Sequence, residues 1–199
     1  MEKGGRPADN SAESTETRIL KVATRHFYDR GYHGATMREI AADCGMKAGS
    51  LYNHYTGKEE LLFRIANDTM AELVDGAQTA VDQGTTPAQR LQGLVRQHVR
   101  YHAVNRLQAK VADDQLHALS QDRQAVVLKI RDGYERLVEE VIADGISEHG
   151  WAVADVKIVA FALLTMCTAV GTWFREDGRL SADQIADIYT DLAMAMLQP

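Results

Sequence analysis

Residues 36–58 read TMREIAADCGMKAGSLYNHYTGK, and this stretch decides the fold of the first part of the chain. Thr36 with Glu39 three residues later forms a capping box, the pattern that opens a helix by satisfying unpaired backbone N–H groups. Gly45 stands where the chain must turn, because glycine reaches positive φ at little cost. A second helix is indicated over residues 47–55. The stretch therefore predicts two short helices joined by a tight turn.

The second of these helices has no acidic residue, which favours contact with DNA. Lysines, hydroxyl groups and backbone N–H groups hold phosphates, whereas Asn side chains and ring edges can reach bases. Contacts that mainly position phosphates are expected from Thr36, Lys47, Ser50, Tyr52 and Lys58. Contacts to base edges are expected from Lys47, Ala48, Gly49, Asn53 and His54.

The same motifs resemble the DNA-binding domain of the TetR family of bacterial transcriptional regulators. The resemblance covers roughly residues 15–69 and rests on Phe27 with Gly31, IAADCG at 40–45, LYNHY at 51–55 and the following KEELL. Lys47, Ala48, Asn53 and Thr56-Gly57 depart from the commonest residues of the family, which affects the operator sequence and not the fold. The family resemblance implies a repressor, whereas the residues alone do not distinguish repression from activation.

Composition and charge are compatible with this interpretation. The chain has 199 residues, of which 45% are hydrophobic, so it can bury one or two cores. Residues 1–70 hold ten basic and ten acidic side chains, and the net charge of −6 therefore lies wholly in residues 71–199. Two distant cysteines fit a reduced cytoplasm better than a disulfide framework. Neither a signal peptide nor an uninterrupted membrane-length apolar stretch is expected, so the protein is predicted to be cytoplasmic, without a membrane partner.

The pattern of periodic apolar residues predicts an all-α fold with about nine helices in three regions. Residues 1–13 are expected to be a disordered arm, residues 14–70 the helix-turn-helix domain, and residues 71–199 a ligand-binding and dimerisation domain. Pro87 after Thr86 marks the start of one helix, and Ser181 with Gln184 marks the start of the last.

The last two helices are expected to form a four-helix seam with the same pair from a second subunit. Residues 153–174 are apolar around most of the helix, and such a helix needs cover on more than one side. One recognition helix reads few base pairs, whereas a two-fold homodimer reads both halves of a palindromic operator in double-stranded DNA. An ordinary monomer core is the alternative. The seam is predicted to contain Val159, Leu163, Val170, Ile185, Ile188, Tyr189, Leu192 and Met196.

A ligand pocket is predicted on the inward face of the fifth helix, where polar and aromatic residues continue an apolar face. Buried polar groups need partners, and either a ligand, bound water or ordinary core hydrogen bonds can supply them. His98 and His102 are also spaced to share a metal ion, but no third ligand adjoins them, so neither a metal nor a cofactor is expected. The predicted pocket residues are His98, Tyr101, His102, Asn105, Gln115, Tyr134, Met166 and Trp173.

The segment WFREDGRLS at 173–181 is similar to one in TetR-like repressors of steroid and fatty-acid catabolism, some of which sense acyl-CoA thioesters. The resemblance implies an apolar acyl site with basic residues for the CoA phosphates. Arg96, Arg100 and Arg106 are the candidates for that role.

The leading functional hypothesis is a homodimeric, DNA-binding transcriptional repressor. A small-molecule inducer of unknown identity releases it from its operator, and the candidates are an acyl-CoA or another hydrophobic metabolite. The alternative is a DNA-binding protein of the same fold without an inducer, acting in chromosome organisation or through a protein partner, with a filled core around His98 and Tyr101. Catalysis is not expected, because the chain contains no Gly-rich phosphate loop, nucleophile elbow or metal-ligand motif.

Overall fold

Ten α helices and one short 3-10 helix make up residues 14–197, the part of the chain that the computed structural model describes. No β strand occurs within that range, and the expected all-α fold is confirmed. α8 and α9 are separated only by Ala169 and together form the one apolar helix that the sequence indicates, which gives the nine helices expected. The predicted arm at residues 1–13 lies outside the described residues.

The helices follow one another through short connections. They are α1 (Thr15–Gly34), α2 (Met37–Asp43), α3 (Ala48–Tyr52), α4 (Lys58–Gln83), α5 (Pro87–Val104), α6 (Arg106–Asp114), the 3-10 helix (Leu116–Ala118), α7 (Gln121–His149), α8 (Val156–Thr168), α9 (Val170–Trp173) and α10 (Ala182–Ala195).

Five of the ten α helices begin at a hydroxyl or carboxylate cap, namely Ser14, Thr36, Thr86, Asp155 and Ser181. The side chain of Ser181 accepts from the Gln184 backbone N–H and Gln184 accepts from the Ser181 backbone N–H, so this capping box is complete. At α2 the box is half formed: Thr36 accepts from the Glu39 N–H, but the Glu39 carboxylate accepts from the Thr36 hydroxyl and from Arg30.

Two glycines have the left-handed backbone that their positions require. Gly45 has φ 68° in the turn between α2 and α3, as expected for a helix-turn-helix. Gly31 has φ 69° and ψ 168°, so the helical backbone of α1 breaks at the residue where the sequence pattern indicates its end, and a short further turn follows to Gly34.

Two parts of the molecule share the long helix α4. The N-terminal core contains Ile19 and Phe27 of α1, Ile40 of α2 and Leu51 of α3, all of which are fully buried. In the C-terminal part α5 is central and packs against α4, α7, α8, α9 and α10. The predicted domain boundary at residue 70 falls inside α4, which runs through it without a break, so that boundary stays a prediction.

One segment is more apolar than the sequence interpretation allows. Val156–Trp173 is long and apolar enough to cross a bilayer by length and composition, so the expectation that no such stretch exists was wrong. This is weak evidence for a membrane span, because core helices pass the same test. Here the segment is divided between α8 and α9 and packs on α5 along one side.

Candidate DNA-binding surface and ligand cavity

The short helix α3 packs on the core through an apolar side and exposes its polar residues to solvent. Leu51 is fully buried and Ala48 is half-buried, so the helix is held to the core through this side. The other six predicted residues of this region are exposed, and none of them is acidic. They are Lys47, Gly49, Ser50, Tyr52, Asn53 and His54. Thr36 is also exposed, at the start of α2.

Polar contacts fix α2 and α3 against the rest of the N-terminal domain. Nε2 of the buried His26 on α1 lies 2.7 Å from a carboxylate oxygen of Asp43 at the end of α2. Tyr55, buried just beyond α3, donates to Glu16 at 3.3 Å, and burial raises the pKa of its phenol to about 12. Because both contacts join different helices, they hold the exposed face of α3 in a fixed orientation.

Lys58 has a different role from the one expected from sequence. Its ammonium group donates to the carbonyl oxygens of Tyr32 and Ala35, each at 2.8 Å, and lies 4.7 Å from the centre of the Tyr32 ring. These carbonyls close the C-terminal end of α1, where a positive charge is favoured. The expectation that Lys58 mainly positions a phosphate is therefore corrected: its donors already hold α1 to the start of α4.

Arg38 is a candidate that the sequence reasoning missed. It is exposed in the first turn of α2, two residues after Thr36. Within residues 14–197 no hydrogen bond or ion pair engages its side chain, whereas Arg30 nearby is paired with Glu39 at 2.8 Å. A basic residue two positions after the helix cap was the available signal, but pairing cannot be read from sequence.

A cavity of about 470 Å³ lies in the C-terminal domain, between α4, α5, α7 and α8, with α6 and α9 at its edge. This volume is within the range of small-molecule sites. Met70, Leu73 and Leu164 supply apolar walls. Three of the eight predicted pocket residues line it, namely His98, His102 and Tyr134.

The polar groups in this cavity are largely satisfied among themselves. His98 is buried; its Nδ1 lies 2.7 Å from the Tyr134 hydroxyl and its Nε2 lies 3.0 Å from the Thr168 hydroxyl. Both ring nitrogens are thus used, which leaves none for a metal ion. No group of three metal-ligating side chains occurs in the described part of the chain. Burial lowers the pKa of His98 well below its ordinary value, so the ring is neutral.

His102 lies beside His98 and lacks such partners. Its ring centre is 4.5 Å from that of His98, and its Nε2 is buried with no hydrogen-bond partner in the described structure. Burial lowers the pKa of His102 to about 4. The cavity therefore contains two neutral imidazoles, of which one has an unused ring nitrogen.

The part of the lining that α6 and α7 supply contains a charged pair. Arg131 on α7 donates to Asp113 at the end of α6 at 2.6 Å, and Glu135 lies one turn further along α7. Burial raises the pKa of Asp113, although Arg131 opposes that shift. The cavity lining therefore contains two carboxylates, from Asp113 and Glu135, and one guanidinium group, from Arg131.

The other five predicted pocket residues are placed elsewhere. Tyr101 donates to Glu72 at 2.9 Å and, with Asn105, lines a separate groove of about 790 Å³, because both stand on the flank of α5 that faces α4. Gln115 accepts from the Tyr32 N–H at 3.0 Å, Met166 packs half-buried against the core, and Trp173 is 48% exposed. Sequence reasoning missed Thr165, Thr168 and Thr172, whose hydroxyls interrupt an otherwise apolar pattern.

The arginines considered for CoA phosphates already have partners. Arg96 pairs with Asp187, and Arg100 pairs with Asp183 at 2.8 Å, so both link α5 to α10. Arg106 donates to the Phe174 carbonyl oxygen at 3.4 Å. These side chains are partly exposed and paired, so the expectation of a preformed, unpaired phosphate site is not met.

An exposed apolar face covers the outer side of α8 and α10, and it differs from the predicted seam. Leu163, Val170 and Ile185 are buried within the protomer, so assigning them to the seam was wrong; they face α5 and the core. Val159 and Tyr189 are half-buried, and Ile188, Leu192 and Met196 are exposed as expected. Ile158 and Phe161, 66% and 64% exposed, and Trp173 belong to this face as well.

Comparison with known proteins assigns the arrangement to a family. Residues 19–65 match the model of "Bacterial regulatory proteins, tetR family", and residues 84–197 match "Tetracyclin repressor-like, C-terminal domain". The chain belongs to the tetR family. The expected family resemblance is thereby confirmed.

Named relatives extend this result over most of the chain. The HTH-type transcriptional repressor KstR2 of Mycolicibacterium smegmatis is 27% identical over 188 residues, which cover 91% of this chain and 89% of that protein. A tetR-family regulator from Rhodococcus RHA1 superimposes with a TM-score of 0.87 at 28% identity, covering 94% of this chain and 98% of that one. AibR, solved with isovaleryl coenzyme A and operator DNA, gives a TM-score of 0.81 at 29% identity, covering 94% and 100%.

Proposed function

We propose that this tetR-family protein is a cytoplasmic, homodimeric transcriptional repressor that binds a palindromic operator in double-stranded DNA. Binding is ended by a small hydrophobic inducer that occupies the 470 Å³ cavity. The observation that carries the proposal is the combination, in one chain, of an exposed acid-free recognition helix and a partly polar cavity in the next domain.

DNA contact is assigned to the exposed residues around α3. Lys47, Ser50, Tyr52 and Thr36 position phosphates, and Arg38 takes the place that sequence reasoning assigned to Lys58. Base edges are read from the exposed α3 side, where Asn53 can bond an adenine and His54 can bond an acceptor. Ala48 and Gly49 allow close approach because neither has a long side chain.

Dimerisation through the exposed face of α8 and α10 is supported by its composition. A run of large apolar side chains on the surface of a monomer marks an interaction site. A second copy of the same face satisfies two-fold symmetry and places two recognition helices for two half-sites. Phe161 lies both on this face and in the lining of the cavity, so ligand and partner subunit are positioned to meet at one side chain.

An acyl-CoA thioester is the ligand class favoured by the relatives, since AibR was solved with isovaleryl coenzyme A. The cavity is large enough for an acyl group, whereas the nucleotide would have to lie outside it. In that case Arg96, Arg100 or Arg106 would need to exchange a present partner for a phosphate. Other hydrophobic metabolites fit the same cavity.

The alternative of a family member without an inducer requires a filled core around His98 and Tyr101. The cavity beside His98 weighs against it. No observation in residues 14–197 favours catalysis over regulation, and regulators of this family act by binding DNA.

The proposal is tested by fluorescence anisotropy with DNA flanking the gene, at physiological salt and with competitor DNA. Nanomolar, saturable binding to a two-fold symmetric site, reversed by an acyl-CoA or another hydrophobic metabolite, is the expected result. Only weak binding that disappears with salt would refute a local operator.

The Asn53→Ala variant checks the assigned base contact in the same assay. It should change the preferred base at one position of each half-site, at a cost of about 1–3 kcal/mol for the wild-type sequence. Equal losses on every DNA sequence would show that Asn53 does not read a base.

A further inference from the structure

The buried end of the cavity contains a polar atom that the protein leaves unused. Nε2 of His102 is buried and without a partner, although its residue lines the cavity. A buried polar group without a hydrogen bond costs about 1–3 kcal/mol, so such groups are uncommon and call for a partner. The protein side chains nearby do not supply one.

The neighbouring His98 explains why. Its two ring nitrogens are occupied by Tyr134 and Thr168, so it cannot turn toward His102 without losing a bond. On the other side α9 approaches closely, since a Cβ on Gly171 would lie 3.1 Å from the His102 carbonyl oxygen. α9 therefore lies directly against the backbone of His102, and Nε2 of this residue has no partner in the described structure.

The charge around this position limits what can bind there. Both imidazoles are neutral, and the guanidinium group of Arg131, which lines the cavity, is already paired with Asp113. Glu135 adds a second carboxylate to the same lining. An anionic group entering the cavity would lose its hydration and face a net negative wall.

We infer that the buried end of the cavity binds a neutral polar group, a hydroxyl or a ketone, carried on an otherwise apolar ligand, through Nε2 of His102. This inference rests on the proposed role of the cavity and specifies its ligand. A hydroxyl can satisfy the nitrogen in either tautomer, whereas a ketone accepts only from the N–H form. A thioester ligand would thus place a hydroxyl- or keto-bearing acyl end inside and its charged end outside.

The test is binding of four eight-carbon probes to the full-length protein without DNA. 1-Octanol, 2-octanone, octanoate and n-octane (delivered through the vapour phase) are compared by displacement of a fluorescent apolar dye. His102→Met removes the ring nitrogens, whereas His102→Gln keeps a polar group at a similar distance from the backbone. His117→Met changes an exposed histidine outside the cavity and serves as the matched control.

The readout is the ratio of the octane to the octanol dissociation constant, because a general loss of packing affects both probes alike. This ratio should fall by roughly five- to tenfold in His102→Met, the size of one net hydrogen bond. It should stay near the wild-type value in His102→Gln and His117→Met. Octanoate should bind more weakly than octanol to the wild-type protein.

An unchanged ratio in His102→Met, tightest binding of octanoate, or no binding of any probe would overturn the inference. Operator release is measured separately. A protein that shows the octanol preference but is not released from DNA by any ligand would contradict only the proposed function. Release by an inducer without that preference would contradict only this inference.

Discussion

At the scale of the residue, Lys58 and Arg38 differ in what their charged groups contact. The Lys58 ammonium donates to carbonyl oxygens at the end of α1, whereas Arg38 is exposed. A cation that binds phosphate releases counterions, so removing it lowers the salt dependence of DNA binding. Arg38→Ala should reduce the slope of log K against log salt by about one, and weaken binding similarly on all sequences.

Lys58→Met should instead lower the stability of the fold by about 1–2 kcal/mol, because it leaves carbonyl groups unpaired. Thermal unfolding of both variants gives the comparison. If Lys58→Met lowers the salt dependence of DNA binding as much as Arg38→Ala is expected to, and leaves the stability unchanged, Lys58 contacts a phosphate as the sequence indicated.

His102 also makes stability depend on pH. Its pKa is lowered from 6.5 to about 4 in the folded protein, so the unfolded chain binds more protons in this interval. Stability should therefore fall as pH decreases from 6.5 toward 4, and be unaffected by this group above 6.5. Urea titrations at several pH values should show a flatter profile in His102→Gln. If acid lowers the stability of both proteins equally, groups other than His102 cause the pH dependence.

At the scale of the element, two hydrogen bonds join the helices that follow α5 to the N-terminal part of the molecule. Gln115, two residues after Asp113 of the cavity wall, accepts from the Tyr32 N–H of α1. Glu59 at the start of α4 accepts from the Ser120 N–H at the start of α7, at 3.0 Å. Glu60, the next residue of α4, accepts from the Thr56 hydroxyl at 2.7 Å and so holds the start of its own helix.

Gln115→Met should reduce the effect of an inducer on operator affinity by roughly fivefold, since one link between cavity and α1 is lost. Affinity without inducer should change little. Gln115→Glu retains an acceptor oxygen and is the control, measured by the same anisotropy titration. Full induction in Gln115→Met would show that α6 does not transmit the ligand signal.

At the scale of the whole molecule, we expect the exposed face of α8 and α10 to determine assembly. Leu192 lies on this face, and Leu128 on α7 is similarly exposed outside it. Leu192→Glu should yield a monomer by sedimentation velocity and weaken operator binding by roughly a hundredfold, since two linked half-sites bind far more tightly than one. Leu128→Glu should leave both unchanged. A dimeric Leu192→Glu protein would place the interface elsewhere.

The sequence by itself determined the helices and the DNA-binding motif, because both depend on neighbours in the chain. A cap acts over three residues, a turn glycine acts at its own position, and an amphipathic face repeats within two turns. The polar recognition side of α3 was predictable for the same reason: Leu51 is its one fully buried residue, and the residues around it are polar.

Only the tertiary structure decided which partner each face and each charge would have. Lys58 reaches carbonyl groups 23 and 26 residues away, and no local pattern indicates such a contact. Leu163, Val170 and Ile185 face the protomer's own core, while Ile158 and Phe161 remain exposed. An apolar side chain is expected to be buried, and this can be predicted from the sequence. The packing of the helices decides whether it is buried in its own protomer or against another chain.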